Sequence, residues 1–324
     1  LAWFDSHRPI TTNGLVRYGE ALLREGRDTE GIGIIRRAWI EGNFGYRQER
    51  TFISRHHKRW TREDNWTRLD RLLWEGKLKA ARRTMRRVDK DLQVLAEARL
   101  RLRLNRGGVD WAIRRVPAHL LHDPAFLYER LRWRRRHDRD NAKEILEELP
   151  FDLAHLQLWW IERAAVVRQT LAKGNISAAY QLASNHRQIE GTSFAEAEWL
   201  SGWVALRFLH DNETALNHFT KLYDSVRYPI SRSRAAYWAA RAAESLGRAE
   251  LQQGWYAKAV EFPTTFHGQL ATARLEGKIP LSLPPDPLPT SQERERFNNI
   301  DLVRVVRMLG EIGEYKQIKP FIIH

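Results

Sequence analysis

"RAAYWAARAAESLGRAELQQGWYAKAV", residues 234–260, decides the fold. Tyr237, Ala240 and Leu246 fall on or near one face of an alanine-rich helix. Gly247 then breaks the pattern and a second helical stretch begins. Glycine suits the left-handed residue that ends a helix, so the stretch reads as two helices joined by a tight turn. It also holds Glu244 beside Ser245, the residue types of a general acid/base and a hydrogen-bonding helper. Glu244 sits three residues before the turn glycine, on the last helical turn, where a glutamate commonly faces water. No glycine-rich backbone, Gln or Tyr cluster comes after it to shape a sugar or acyl site. The pair is read as a solvent-facing helix end.

The same unit recurs along the chain. "GLVRYGEALLREGRDTEGIGIIRRAW" breaks near Gly26, and "NWTRLDRLLWEGKLKAARRTMRRV" breaks around Gly76. Further turns are expected at Gly107, Asp138, Gly174, Asp211 and Gly313. From Gly76 to Gly247 the steps are about 31 to 37 residues, the period of helical-hairpin repeats. Ala80, Ala142, Ala178 and Ala215 each lie four residues past a turn, small enough to let the second helix approach the first closely. About eight such hairpins predict an all-α fold, an α-solenoid or superhelix of stacked helical hairpins, curved or U-shaped. No alternating β-branched run bounded by hairpin turns argues for strands. Thr61 with Asp64 resembles a capping box, and Ser231 after Pro229 is placed to start a helix.

One stretch departs from this pattern. "GKIPLSLPPDPLPTSQERERF", residues 277–297, holds Pro280, Pro284, Pro285, Pro287 and Pro289, through which no helix passes. Ser291 is a candidate cap for the helix after it. The expected organisation is a superhelical domain over residues 1–277, a proline-rich linker over 278–292, and the start of a small helical domain over 293–324, too short for a core of its own.

Composition sets outer limits. The chain has 324 residues, 43% hydrophobic and 29% charged, enough to bury a core. No apolar run approaches the roughly 18 residues that span a bilayer, so no transmembrane segment is expected. The chain starts at Leu1, which suggests a trimmed, mature or fragmentary piece. Without cysteine there are no disulfides, thiolate nucleophiles or Cys-based zinc sites. Net charge is +14, and residues 1–150 carry about 34 Lys+Arg against about 22 Asp+Glu. A basic half of this kind attracts polyanions, whether nucleic acid, anionic lipid or a carboxylate-rich polymer; a solvated surface is the plainer reading.

Other candidate chemistry is thin. His56 and His57 lie among cations, which disfavours a metal, and His119 and His122 lack an accompanying carboxylate pattern. "DRDNA", residues 138–142, begins like a calcium loop but lacks its glycine and terminal glutamate. Gly31-Ile32-Gly33 is only a fragment of a phosphate loop. Glu147-Glu148 and Glu293/Glu295 have no partner that would raise a pKa. The 13 tryptophans are the unusual feature. Trp159, Trp160, Trp199, Trp203, Trp238 and Trp255 have interior-compatible spacing and are read as packing between hairpins, with stacking on a sugar or base as the sharper alternative. No residue is assigned a catalytic, cofactor-binding or metal role, and no cofactor is expected.

Residues 231–277, "SRSRAAYWAARAAESLGRAELQQGWYAKAVEFPTTFHGQLATARLEG", resemble the end of the superhelical, U-shaped domain of the soluble lytic transglycosylases. The matching positions are Tyr237, Trp238, Arg241, Ala242, Glu244, Gly247, Trp255, Tyr256 and Ala259, then Pro263, Thr264, Thr265, Phe266, Gly268, Gln269, Leu270 and Ala271. Ala240 stands where that family usually has glycine, and His267 where it usually has tyrosine. The likeness extends upstream through residues 159–186, 194–209 and 61–74, covering most of residues 1–277.

The resemblance implies a periplasmic parent enzyme that cleaves the β-1,4 bond between N-acetylmuramic acid and N-acetylglucosamine in peptidoglycan, forming a 1,6-anhydro ring. Its single catalytic glutamate belongs to a C-terminal lysozyme-like domain, in a Glu-Ser-aromatic motif followed by Gly-Leu-Met-Gln. Here Glu244-Ser245 is followed by Leu246-Gly247, and Gly-Leu-Met-Gln is absent from these 324 residues. The implied role is therefore a non-catalytic scaffold, partnered by glycan strands through the parent enzyme and by the catalytic domain. Two other readings stay open: a helical-repeat scaffold for protein partners, and a basic helical-repeat RNA binder. The second needs a regular pair of base-reading side chains in each repeat, which the sequence lacks; nucleic acid is not the expected partner.

Overall fold

The computed structural model describes residues 1–137, 141–150, 152–276 and 288–322, all of them helix, turn or loop, with no strand among the described residues. After the short α1 (Ala2–Ser6) come α2 (Thr12–Arg24), α3 (Asp28–Glu41), α4 (Tyr46–His56), α5 (Arg62–Trp74), α6 (Leu78–Met85), α7 (Lys90–Leu104) and α8 (Val109–Arg114). The middle contains α9 (Pro124–Arg136), α10 (Ala142–Glu147), α11 (Leu156–Ala172), α12 (Ile176–Ser184), α13 (Gly191–Val204) and α14 (Asn212–Ser225). Last come α15 (Pro229–Ser245), α16 (Ala249–Val260), α17 (Phe266–Glu276), α18 (Ser291–Asn298), α19 (Asp301–Glu311) and α20 (Tyr315–Ile322).

Contacts follow chain order. The helices α3, α5, α7, α9, α11, α13, α15 and α17 pack each on the next, forming one layer. From α5 to α16, each layer helix is backed by the helix that follows it in a hairpin. The apolar interior is correspondingly divided into five clusters along the chain, from Leu15, Ile35 and Trp39 at one end to Tyr237, Trp255 and Ala271 at the other. This is the arrangement of a solenoid, in which a repeat touches only its neighbours.

The turns are built alike. Gly26, Gly76, Gly174, Gly247 and Gly313 all have φ between 70° and 80°. At each, the amide after the glycine donates to the carbonyl five residues earlier: Arg27 to Leu22, Lys77 to Leu72, Asn175 to Thr170, Arg248 to Ala243 and Glu314 to Leu309. That bond satisfies an end carbonyl the helix leaves open. Two turns differ in detail from the sequence expectation. Near Gly107 the left-handed residues are Asn105, which closes α7, and Gly108, which opens α8. At Asp211 the left-handed residue is His210, after a wide π-type turn at Ala205–Leu209, while the Asp211 carboxylate accepts from the Thr214 amide as a cap. Asp138 lies outside the described residues.

The close approach of paired helices comes five residues past the left-handed residue. Gly31, Ala81, Ala179 and Ala215 occupy that place and are buried, whereas Ala80 and Ala178 are only half-buried. A Cβ on Gly31 would meet the Leu23 side chain at 2.7 Å, so the space is fully used. Ala142 is buried as expected.

Thr61 and Asp64 form the predicted capping box. Ser231 does not cap: Pro229 takes the first helical position behind Tyr228, which suits a residue without an amide proton. Nor does Ser291, because Thr290 caps α18 in a box with Glu293. The proline segment expected from residue 277 falls largely outside the described residues. Beyond it, α18–α20 bury no residue, and Phe297, Met308 and Ile312 are exposed.

Candidate functional site

An arginine–carboxylate bridge joins nearly every step of the helix layer. Arg36 on α3 grips Asp64 on α5 through two bonds of 2.8 and 2.9 Å. Arg99 on α7 reaches Asp70 on α5 at 2.6 Å. Arg103 on α7 bonds Glu129 on α9 at 3.0 Å, and Arg135 on α9 bonds Glu162 on α11 at 2.5 Å. Arg168 on α11 meets Glu196 on α13 at 2.7 Å. Partners stand 26 to 29 residues apart, a little under one repeat. Four arginines of the N-terminal half are thus engaged inside the fold, each with one carboxylate, so the basic excess of that half remains. The deepest example is Arg68: fully buried over the Trp39 ring at 4.1 Å, it donates to the Trp39 and Gly42 carbonyls. Burial pushes its pKa down to about 10, against the opposing pull of Glu49.

Glu244 and Ser245 do not act together. Arg241 Nε lies 2.8 Å from Glu244 Oε2, and Arg274 Nη1 lies 3.8 Å from Oε1. The Tyr256 hydroxyl donates to Oε2 at 3.4 Å. Ser245 Oγ turns the other way and donates to the Arg241 carbonyl at 3.1 Å. Ser245 is exposed as the sequence reading has it, whereas Glu244 is half-buried and links α15 to α16 and α17. Burial and then Glu244 push the Tyr256 phenol up to about 12, so it remains a donor at neutral pH.

Just downstream, the 263–271 motif forms the entry to α17. Thr265 is buried, donates to the Phe262 carbonyl and accepts from the Gly268 amide. A Cβ on Gly268 would overlap the Phe262 carbonyl oxygen, so only glycine fits. Ala240 is fully buried and its methyl is accommodated. His267 packs beside Tyr237 with ring centroids 5.5 Å apart.

A carboxylate the sequence did not single out gathers three different side-chain donors. Glu198 on α13 is fully buried and receives His186 Nε2 at 3.2 Å, His218 Nδ1 at 2.6 Å and the Lys221 ammonium. Burial alone would raise its pKa, but these bonds outweigh it and hold the group well below the ordinary carboxylate range. The Gln188 amide donates to His186 Nδ1, so His186 carries its proton on Nε2. Tyr180 bonds the far side of His218 at 3.1 Å. Three helices and a loop converge here, and the cluster braces α12, α13 and α14. A signal existed in the sequence: Glu198 shares a helix face with Phe194 and Ser201, both buried.

The predicted histidine pairs separate. His56 is buried against Glu20 at 3.2 Å, whereas His57 is exposed and bonds the Ile53 carbonyl. His119 lies 3.7 Å from Asp91, and His122 is exposed. Among the described residues no group of three or more His, Asp or Glu side chains is placed to hold a metal.

The tryptophans divide by depth. Trp159, Trp160 and Trp255 are buried in the core. Trp199, Trp203 and Trp238 are half-buried, and the first two pack against both of the large C-terminal clusters. Trp199 and Trp203 stack at 5.9 Å, with Phe208 edge-on to Trp203 at 5.1 Å. They line an open groove of about 410 Å³ with Arg168, Leu171, Ala172 and Leu200. Flat aromatic faces beside a paired guanidinium suit the apolar face of a sugar ring and its hydroxyls. This groove is the candidate binding site.

No family model matches the chain, and no curated protein sequence does. Among solved structures it is similar to an inactive mutant of the lytic transglycosylase Slt from Pseudomonas aeruginosa, with a TM-score of 0.63 and 18% identity. The match covers 99% of this chain and 52% of that one. The likeness is one of fold, and this chain spans about half the length of the Slt chain. The resemblance first carried by residues 231–277 therefore extends, at the level of fold, over nearly all of this chain. No described helix is long and apolar enough to cross a membrane.

Proposed function

We infer that the chain is the non-catalytic scaffold portion of a peptidoglycan lytic transglycosylase. The observation that carries the reading is the fold match, complete for this chain and half-complete for Slt. In this reading residues 1–277 form a curved wall, 278–292 a linker, and 293–324 the start of a small helical domain leading to a C-terminal catalytic domain. The wall faces glycan strands in the periplasm, and the Trp199–Trp203 groove supplies a stacking surface for sugars. Glu244 plays no acid/base part, because its oxygens are occupied by Arg241, Arg274 and Tyr256. The RNA reading has less support because the repeats carry no regular pair of base-reading side chains.

Binding of the isolated chain to purified peptidoglycan, measured across salt concentrations, tests the proposal. Saturable binding at low salt is expected, together with no release of anhydro-muropeptides. Absence of binding at low salt sinks the scaffold reading, and release of anhydro product refutes its non-catalytic part.

A further inference from the structure

Between α4 and the end of α6 lies an open cleft of about 520 Å³. Its walls carry Arg50, Arg82, Arg83, Arg86 and Arg87, with Tyr46 and Ile53 between them and Glu49 the one acidic residue. Glu49 is 2% exposed and is held by Arg83, with Arg68 Nη2 behind it at 3.9 Å. That pairing uses Arg83. Arg50, Arg82, Arg86 and Arg87 are exposed and have no carboxylate at ion-pair distance among the described residues.

Elsewhere in the same half of the molecule, arginines are spent differently. Arg36, Arg99, Arg103 and Arg135 each hold a carboxylate across a helix step. In the cleft four guanidinium groups converge and find none. Like charges gathered on a surface repel one another and disfavour the folded state unless an anion offsets them. One or two last-turn arginines would suffice to complement the α6 dipole. Arg50 sits on the opposite wall, on α4, and that explanation leaves it out.

The cleft also displays what it accepts. Glu49 is a carboxylate already seated on its floor and gripped by a guanidinium. The Tyr46 ring, 64% exposed and 5.8 Å from the Arg83 guanidinium, adds a flat surface for aliphatic segments between charges. Guanidinium groups pair with carboxylates through two parallel bonds, so four of them suit a ligand that presents several carboxylates on a flexible chain.

We propose that the α4–α6 cleft binds a flexible chain bearing two or more carboxylates, which on the scaffold reading are the free carboxylates of peptidoglycan peptide stems. The proposal rests on that reading and assigns it a second contact surface, remote in sequence from the aromatic groove.

The test uses the full chain and soluble, uncross-linked peptidoglycan strands, with stem carboxylates either free or amidated. The variant combines Arg82→Gln, Arg86→Gln and Arg87→Gln, leaving Arg83 to hold Glu49. The variant is expected to bind free-carboxylate strands at least about tenfold more weakly than wild type. Wild type is expected to lose a similar factor on amidated strands, and the variant to lose little more on them. Arg50→Gln alone, on the other wall, gives a smaller loss in the same direction and serves as the check should the triple variant fold poorly.

Equal binding by the variants and wild type overturns the cleft while leaving the scaffold reading standing. Indifference of wild type to amidation overturns the carboxylate assignment. Stronger competition by inorganic polyphosphate than by poly-glutamate of equal charge also overturns it, in favour of phosphate. If wild type binds neither strand preparation, the cleft proposal falls together with the reading it rests on.

Discussion

The two ends of the helix layer are held together by different chemistry. From α3 to α11 each step carries an arginine–carboxylate bridge over a modest apolar cluster. From α13 to α17 the contacts are mainly alanine and aromatic, with one long Arg274–Glu244 pair at the rim: Ala235, Ala236, Ala239, Ala240, Ala242 and Ala243 on α15 are all fully buried. Alanine faces let backbones approach and leave little room for long side chains. Arginine stems span wider gaps with their own methylenes and finish on a carboxylate. The same stacking geometry is thus reached by charge pairing at one end and by close packing at the other. A solenoid permits this because each interface is set locally.

Truncating Arg68 should have the largest effect at the charged end. Arg68→Ala leaves the Trp39 carbonyl without its side-chain donor, takes one of two donors from the Gly42 carbonyl and opens a cavity under Trp39. A loss of about 3–5 kcal/mol is expected. Hydrogen exchange should show α3–α5 losing protection while α15–α17 keep theirs. A loss below about 1 kcal/mol, or uniform loss of protection, contradicts the local-interface picture.

At the close-packed end, Ala240→Leu forces a larger side chain into a fully buried position between α15 and its neighbours. Overpacking there should cost about 1–3 kcal/mol, with lost protection confined to α13–α17. A neutral result means that this end has slack the buried alanines do not show. Salt separates the two ends without mutation. Raising it weakens exposed parts of the bridges, so α3–α11 should exchange faster and α15–α16 should not.

How much of this was legible beforehand depends on whether the cause is local. The turn glycines and the Thr61–Asp64 box were readable because backbone conformation and capping are decided within a few residues. At Asp211 the position was right and the role wrong: either His210 or Asp211 can hold the left-handed conformation, and only the wide turn before them selects His210. Ser231 and Ser291 misled because a neighbouring Pro229 and Thr290 compete for the same end of the helix. The bridges were missed, although Arg36–Asp64, Asp70–Arg99 and Arg103–Glu129 repeat at nearly one spacing. The groove was half-visible, since Trp199 and Trp203 are four apart, but Phe208 joins them only through the π-type turn. The Glu198 cluster draws on α12, a loop, α13 and α14, and no spacing rule brings those together.

Glu198 qualifies the contrast, being a charged centre in the packed end. The pKa of its carboxyl falls on folding, so it stabilises the fold above the ordinary glutamate pKa of about 4.3, and that contribution is lost as pH falls through the lower folded value. Glu198→Gln keeps the size and removes the charge, and should cost about 1.5–3 kcal/mol at neutral pH. The difference between variant and wild type should shrink in acid. A constant difference down to about pH 3, well below the ordinary glutamate range, contradicts the charge-based account.

The smallest effect expected belongs to His267, where the packed end handles a titratable group without a carboxylate. Burial, and secondarily the nearby Arg234 charge, push the imidazole pKa down to about 4. The unfolded chain binds a proton near pH 6.5, and the folded chain resists until about pH 4. His267 is therefore neutral in the fold at neutral pH and withdraws nothing there. As pH falls from 6.5 toward 4 the unfolded state gains protons first, and stability declines across that window. The ring is partly exposed, so solvent screening reduces the cost to about 1 kcal/mol. His267→Tyr places at this position the residue usual in the resembled family and removes the titration. The variant should match wild type at about pH 7.5 and be the more stable of the two at about pH 5, with the difference read in the exchange of α17. If both lose stability in parallel between pH 6.5 and 4, His267 is not the group responsible, since the Glu198 contribution is lost only below the ordinary glutamate pKa of about 4.3.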